Sequence, residues 1–464
     1  MKRPLLFLAS LAASGAAPAA TSASPDAPVA SVVVARSGNR WSADYRLAIA
    51  APVWVFAKSH PPLKGPVSWR VPSVRVLTPG VRLERIGDYD ALVADGGAVP
   101  ARVRLAFTPV SANLEGSYDP ALLFTDGAVA LYADAFRVLP LPSAAVAAKA
   151  PRDSDLLPGV ARPTRMTFRD GGSPILYQGR RVDRVTTDDG DAYLLFGKAT
   201  PLVGPALTTV IDPALPAWLA TFLRTEIPAI LQSYQRALGP APVGRPTLLV
   251  SWAGPTPHLI SMGGSVLSGM VVMRLEGIGV VKPSAQLSSQ ARWFAAHESA
   301  HFWLGQAIAY SRPEESWITE GGAELLAFRA TAAADPHYDI HARLREARDE
   351  CVPYLAHGGI EAAYQRTDDF RAYYACGVIL ALVAEKAAGG DFGRFVRTLI
   401  ARHGAQKTVN RREWLALVEE LGAPRGDTAA IADLLDKGHP DGKAALDGFI
   451  AATGIGPAFA TPAT

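Results

Sequence analysis

From residue 32 to residue 196 the chain reads as short apolar runs broken roughly every ten residues by Gly, Pro or Asp. The runs fall at 32–35, 44–49, 53–57, 69–71, 74–77, 81–86, 91–94, 103–108, 122–124 and 128–132, with a second set at 165–168, 175–177 and 193–196. This punctuation predicts the strands of an all-β sandwich or saddle. The period then changes. Leu215, Leu219, Phe222, Leu223, Ile227, Ile230, Leu231 and Tyr234 recur mostly at three- and four-residue steps, which predicts an amphipathic helix over 213–238. Pro228 inside it is expected to kink or split it. Residues 247–252 and 271–275 read as strands of a small sheet, with 271–275 at its edge. Helical periodicity follows at 293–304, 320–330, 335–351, 370–388, 392–403, 410–421 and 427–437, and residues 444–464 fade into an Ala/Gly/Pro tail. The fold class expected is therefore α+β and multidomain.

Composition sharpens this picture. With 49% hydrophobic and 19% charged residues over 464 positions, there is material for a large core and two or three domains. Residues 1–20 combine Lys2 and Arg3, an apolar stretch at 5–13 and the small-residue site Ala17-Pro18-Ala19, which reads as a secretory signal followed by a polar lead-in over 24–30. An exported, periplasmic or secreted protein is expected, with no stable membrane insertion once the signal is removed. The formal charge, 46 − 43 = +3, falls to about +1 without Lys2 and Arg3, so nothing electrostatic argues for nucleic acid. Cys351 and Cys376 are the only cysteines, and either one disulfide or two buried thiols fits an oxidising compartment.

The candidate chemistry lies in 293–328, WFAAHESAHFWLGQAIAYSRPEESWITEGGAELLAF. On a helix, His297 and His301 stand four residues apart on one face, so both imidazoles can reach one metal ion. Glu298 points to another side and is free to act as general base on a metal-bound water. Glu320 opens the next helical run and offers a third ligand. Two histidines and one glutamate leave a position open for water, which distinguishes a catalytic zinc from a structural one. Glu324, one turn beyond Glu320, can accept the free N–H of a ligand histidine and fix its tautomer. The bland alternative is an amphipathic helix whose histidines face a core. His337 and His341 repeat the four-residue spacing without an adjacent carboxylate and read as an exposed helix face.

His297, Glu298 and His301, followed after eighteen residues by Glu320 within Trp317-Ile318-Thr319-Glu320-Gly321, resemble the gluzincin metallopeptidases, most closely the aminopeptidase N family that includes the leukotriene hydrolase. Tyr374-Ala375-Cys376-Gly377 looks like that family's Y-x-x-G segment. The resemblance implies a thermolysin-like catalytic domain with a small sheet and a helical lobe over 206–440, preceded by an N-terminal β domain over 24–205 and followed by a tail over 441–464. It also implies a Zn2+ cofactor and peptide or protein substrates. Tyr374 is implied as the donor that stabilises the tetrahedral oxyanion, with Tyr373 as its rival. One departure stands out. Where the family's aminopeptidases carry G-x-M-E-N, whose glutamate binds the substrate's free amine, residues 263–272 read GGSVLSGMVV without an acid. Two other function classes compete with a peptidase: a periplasmic binding or scaffold protein with a residual metal site, and a zinc hydrolase acting on a non-peptide substrate.

Overall fold

The structure, a computed structural model, describes residues 27–114, 117–157, 162–204, 207–242, 245–363 and 370–460. The export signal read over 1–20 lies outside the described residues.

Strict alternation builds the first sheet. Ala30, Val32 and Val34 of β1 (Ala30–Ser37) and Trp41, Ala43, Tyr45 and Leu47 of β2 (Arg40–Leu47) turn inward, while the residues between them face out. With β3 (Val74–Val76), β4 (Arg102–Phe107), β5 (Thr164–Asp170) and β6 (Arg184–Thr187) they form a six-stranded sheet in the order β6-β5-β1-β2-β4-β3, in which β1 and β5 are parallel. A four-stranded sheet (Val138–Leu141, Val53–Phe56, Tyr89–Ala94, Val81–Ile86) and a five-stranded one (Arg180–Val182, Ile175–Tyr177, Tyr193–Phe196, Val129–Tyr132, Ala121–Leu123) complete this part.

One predicted strand is absent. Residues 69–71 lie in a helical turn, Arg70–Ser73, because the Ser68 hydroxyl accepts the amides of Arg70 and Val71 at 3.1 and 3.0 Å. The Arg70 side chain is buried against Asp90 at 2.8 Å, with its guanidinium 4.2 Å from the ring centres of both Phe56 and Trp69. A buried cation, not the apolar pattern, decides the local conformation.

The next sheet holds β7 (Leu202–Val203), β8 (Thr208–Ile211), β9 (Thr247–Trp252), β10 (Ser261–Leu267) and β11 (Met270–Glu276), ordered β7-β8-β9-β11-β10. The edge is thus β10, and the apolar segment expected there, 271–275, lies inside the sheet between β9 and β10. β11 is apolar because it is covered on both faces, whereas β10, GG-containing and half-exposed, carries too little apolar signal to read as a strand. Leu249, Met270 and Val272 of this sheet share a core with Leu122, Tyr132, Tyr193 and Leu195 of the preceding five-stranded sheet, which joins the two parts.

Helices follow: α1 (Ala217–Leu238), α2 (Ala285–Ala300), α3 (Trp317–Ala334), α4 (Ile340–Ala356), α5 (Arg371–Ala387), α6 (Phe392–His403), α7 (Arg411–Glu420), α8 (Arg425–Asp436) and α9 (Gly442–Thr453). Pro228 does not split α1. The carbonyl it deprives of a partner belongs to exposed Arg224, where water can replace the lost donor. Residues 441–460 are not simply a tail, because Asp441 caps α9 and Leu446, Phe449 and Ile450 are buried. Cys351 of α4 and Cys376 of α5 form a disulfide.

Candidate metal centre

Ser284 caps α2 by accepting the Leu287 amide at 3.1 Å, and residues 295–300 are buried. The helix stops at Ala300, short of the predicted Leu304, but His301 keeps helical angles (φ −66, ψ −12), so the four-residue spacing survives. The chain then turns sharply through Gly305, and the His301 Nδ1–H donates to the Leu304 carbonyl at 2.8 Å. Glu320 lies in the first turn of α3. Glu324, one turn on, accepts from His297 Nδ1 at 3.0 Å and from the Trp293 indole at 3.2 Å.

With each Nδ1 engaged by an acceptor, the neutral form of each ring, the one a cation would select, turns its Nε2 lone pair to the same point, and the two Nε2 atoms face each other at 3.2 Å. Each is 3.4 Å from Glu320 Oε2. A tetrahedral ion with bonds of about 2.0–2.2 Å has ligand–ligand edges of about 3.3–3.6 Å, so the triangle has the dimensions of one face of a zinc site. Glu320 Oε2 is buried and has no hydrogen-bond partner, an orphaned acceptor that a cation would satisfy. The residues fit the metal. Among the described residues no second group of this kind forms: His341 Nδ1 instead donates to the Ala458 carbonyl at 2.8 Å, and His337 is exposed.

Electrostatics agree with the geometry. Burial alone would lower the His297 pKa, but the Glu320 and Glu324 carboxylates overcome it and push it up to about 10. Burial works against ionised Glu320 too, yet His301 and His297 hold its carboxyl well below the usual range. This pocket calls for positive charge. Glu298 is raised by burial and by Glu320, with His297 and His301 pulling the other way.

Glu298 lies beneath the edge strand. A β-carbon added to Gly264 of β10 would come within 2.5 Å of the Phe294 ring and 3.3 Å of the Glu298 carboxyl carbon. Only glycine lets the strand pass this close. Tyr374 of α5 stacks on the His297 ring with centroids 5.4 Å apart, and its phenol is held well above its ordinary pKa by burial and by the Glu320 and Glu298 charges. Tyr373 turns away and donates to the Glu361 carbonyl at 3.2 Å. Of the two tyrosines, Tyr374 is the one that lies against a candidate ligand.

Sequence reasoning missed the contribution of the β-rich part. The Tyr118 phenol is raised by burial and, more weakly, by Asp191, Tyr310, Glu298 and Glu320, so it lies within electrostatic reach of the site. Asp119 next to it accepts from Ser111 at 3.2 Å and lies 3.8 Å from Arg274. Burial outweighs both partners and pushes its pKa up to about 6. Tyr118, Asp119 and Tyr193 line a cavity of about 140 Å³ together with Gly263 and Gly264 of the edge strand. No local motif marks these residues, since they reach the site only through the packing of two sheets. A larger cavity of about 580 Å³ adjoins the other flank, walled by Trp293, Glu324, Phe328, Tyr338, Arg371 and Tyr374.

In sequence comparisons no family model and no curated protein matches the chain. Solved structures do. An aminopeptidase N family protein from Idiomarina loihiensis superposes with a TM-score of 0.60 at 13% identity, covering 88% of this chain and 76% of that one. Leukotriene A4 hydrolase from Saccharomyces cerevisiae superposes with a TM-score of 0.51 at 14% identity, covering 89% and 68%. The chain has their fold. At such identities the likeness establishes architecture, a mixed helix-and-sheet arrangement with several sheets, and the chemistry has to be argued from the residues themselves.

Proposed function

We propose that this chain is a zinc-dependent metallopeptidase, with His297, His301 and Glu320 holding the metal. The observation that carries this reading is the triangle of ligand atoms at 3.2, 3.4 and 3.4 Å, with an unpartnered buried carboxylate oxygen at one corner. When bound in an open site, zinc activates a water and polarises a carbonyl. The rest is work for the chain's own groups. Glu298 takes the water's proton and returns it to the leaving amine; its burial raises its pKa above the ordinary carboxylate value and so makes it a stronger base. Tyr374 keeps its proton because its pKa is high, so its hydroxyl can donate to the substrate carbonyl oxygen as charge develops there, an effect worth about 3 kcal/mol for a well-placed donor. Glu324 holds His297 in the tautomer that presents Nε2 to the metal.

The peptide would lie extended along β10, whose outer edge is unpaired in the sheet and passes directly over Glu298. Residues 263–272 offer no carboxylate to a free amine, so the reading assigns peptide-bond hydrolysis without end recognition from this segment. In this view residues before the Leu202–Glu276 sheet form an N-terminal β domain, the sheet and the helices form a thermolysin-like catalytic domain, and the protein acts outside the cytoplasm after loss of residues 1–20.

The test is metal analysis of the purified protein, joined to a panel of aminoacyl and internally quenched peptides with and without chelator. One zinc per chain, chelator-sensitive cleavage, and loss of cleavage with zinc retained in Glu298→Gln support the reading. Zinc-loaded protein that cleaves no peptide, or a Glu298→Gln variant with near-native turnover, overturns it.

A further inference from the structure

The outer face of the six-stranded sheet is studded with arginine. Arg46 of β2, Arg102 and Arg104 of β4, Arg165 and Arg169 of β5, and Arg184 of β6 all occupy outward positions and are exposed. These strands contain no lysine. Register places Arg46 directly opposite Arg102, and Arg169 directly opposite Arg184. Like charges facing each other across a ladder destabilise a sheet, so two such pairs on one face demand a reason.

Local acids do not supply one. Asp44 reaches Arg104 at 3.4 Å and Asp188 pairs with Arg165 at 2.7 Å. Arg46, Arg102, Arg169 and Arg184 have no ion pair with any described carboxylate. The four line a shallow depression of about 420 Å³ whose floor is Val33 and Thr167. The asymmetry is local, because the chain as a whole carries 46 basic against 43 acidic residues.

We infer that this arginine face docks the protein onto a bilayer surface bearing anionic phosphate headgroups. Three features of the patch select that partner. Guanidinium groups grip phosphate oxygens through paired N–H donors, which favours a phosphate ligand over a diffuse counter-ion cloud. The charges spread from β4 and β2, over β1, whose outward positions hold no arginine, to β5 and β6, a width of about 19 Å, with two arginines along each of β4 and β5. A planar array matches a plane of headgroups, whereas a linear polyanion calls for a stripe or groove. The outward residues between the arginines are Ser31, Val33, Ala35, Ser42, Asp44, Thr167 and Thr186, none of them aromatic, so bases would find nothing to stack on, and the one acid among them, Asp44, is paired with Arg104. None is a large apolar wedge either. Docking is therefore peripheral, electrostatic and reversed by salt.

The inference uses none of the metal-centre residues and stands independently of the proposed activity. Its test is co-sedimentation of the full chain with vesicles of phosphatidylcholine alone or mixed with phosphatidylglycerol, at low salt and at high salt. The expected result is binding to the phosphatidylglycerol vesicles only, abolished at high salt. Combining Arg46→Gln, Arg102→Gln, Arg169→Gln and Arg184→Gln should weaken it by on the order of a hundredfold or more. The thermal midpoint should be unchanged or raised, since opposed charges are removed. A control with equal charge loss at four exposed arginines elsewhere, Arg224, Arg236, Arg412 and Arg425, should bind nearly as the parent does. Absence of binding to phosphatidylglycerol vesicles, or equal binding by the parent and the four-arginine sheet variant, overturns the inference. Binding to heparin without binding to vesicles also overturns it, in favour of a linear polyanion.

Discussion

Gly321 of α3 and Gly377 of α5 meet backbone to backbone: a β-carbon on Gly321 would lie 2.1 Å from the Gly377 carbonyl carbon, and one on Gly377 would lie 2.9 Å from the Gly321 Cα. Each glycine follows a site residue, Glu320 by one position and Tyr374 by three. The crossing is what brings the carboxylate and the phenol to the same imidazole. Both glycines belong to the motifs that pointed to the site, and their place in those motifs now has a packing explanation.

Gly321→Ala should therefore act twice. Overpacking against backbone, which cannot rotate away, should cost about 1–3 kcal/mol or more, visible as a lowered thermal midpoint. Separation of α5 from α3 should also move Tyr374 away from Glu320 and reduce turnover beyond what the stability loss explains. Normal kcat in a folded Gly321→Ala protein would show that the crossing does not position the tyrosine.

Glu324 contacts His297 and Trp293 but lies outside the ligand triangle. Glu324→Ala should leave the fold intact and weaken zinc binding roughly 10- to 100-fold, because His297 loses the group that fixes its ring and tautomer. Competition against a chelator of known affinity measures this. Equal zinc affinity in variant and parent would remove Glu324 from the site.

The two halves of this molecule differ in how far local sequence speaks for them. The proposed metal ligands could be read because an i, i+4 histidine pair is set by local geometry, which helical angles at His301 preserve even though α2 ends early, and because an acid opens the next long helix. Most strands of the β-rich part could be read from short apolar runs cut by turn residues. What could not be read are the results of long-range packing. The parallel pairing of β1 with β5, the identity of β10 as the edge and the approach of Tyr118 and Asp119 to that edge depend on sheet order, which no short pattern encodes. Residues 69–71 failed for a different reason: a single buried Arg70–Asp90 pair outweighed the propensity of its neighbours.

The Cys351–Cys376 disulfide ties α4 to α5 two residues beyond Tyr374. Closing a loop of 25 residues restricts the unfolded chain and contributes about 3.5 kcal/mol by the chain-entropy argument. Replacing both cysteines by serine should lower the urea midpoint accordingly, while zinc binding stays near native because none of its three ligands lies on α4 or α5. If the double variant is as stable as the parent, the bridge has no such role.

Asp119 gives a pH dependence opposite in sign to that of most carboxylates. Burial pushes its folded-state pKa up to about 6, above the ordinary value of 3.8, despite Arg274 and Ser111. The folded protein thus holds this proton more tightly than the unfolded chain does. Its contribution is fully present below about pH 4 and is lost as pH rises through about 6, so ionised Asp119 costs stability at neutral pH, at most about 3 kcal/mol for a shift of this size. Asp119→Asn, which cannot ionise, should gain on the parent as pH increases from 4 to 7, and urea unfolding at four pH values across that range reads the difference directly. A gap between variant and parent that is constant with pH, or that narrows toward pH 7, would mean that Arg274 and Ser111 compensate the buried charge in full and that Asp119 ionises in the folded protein without cost.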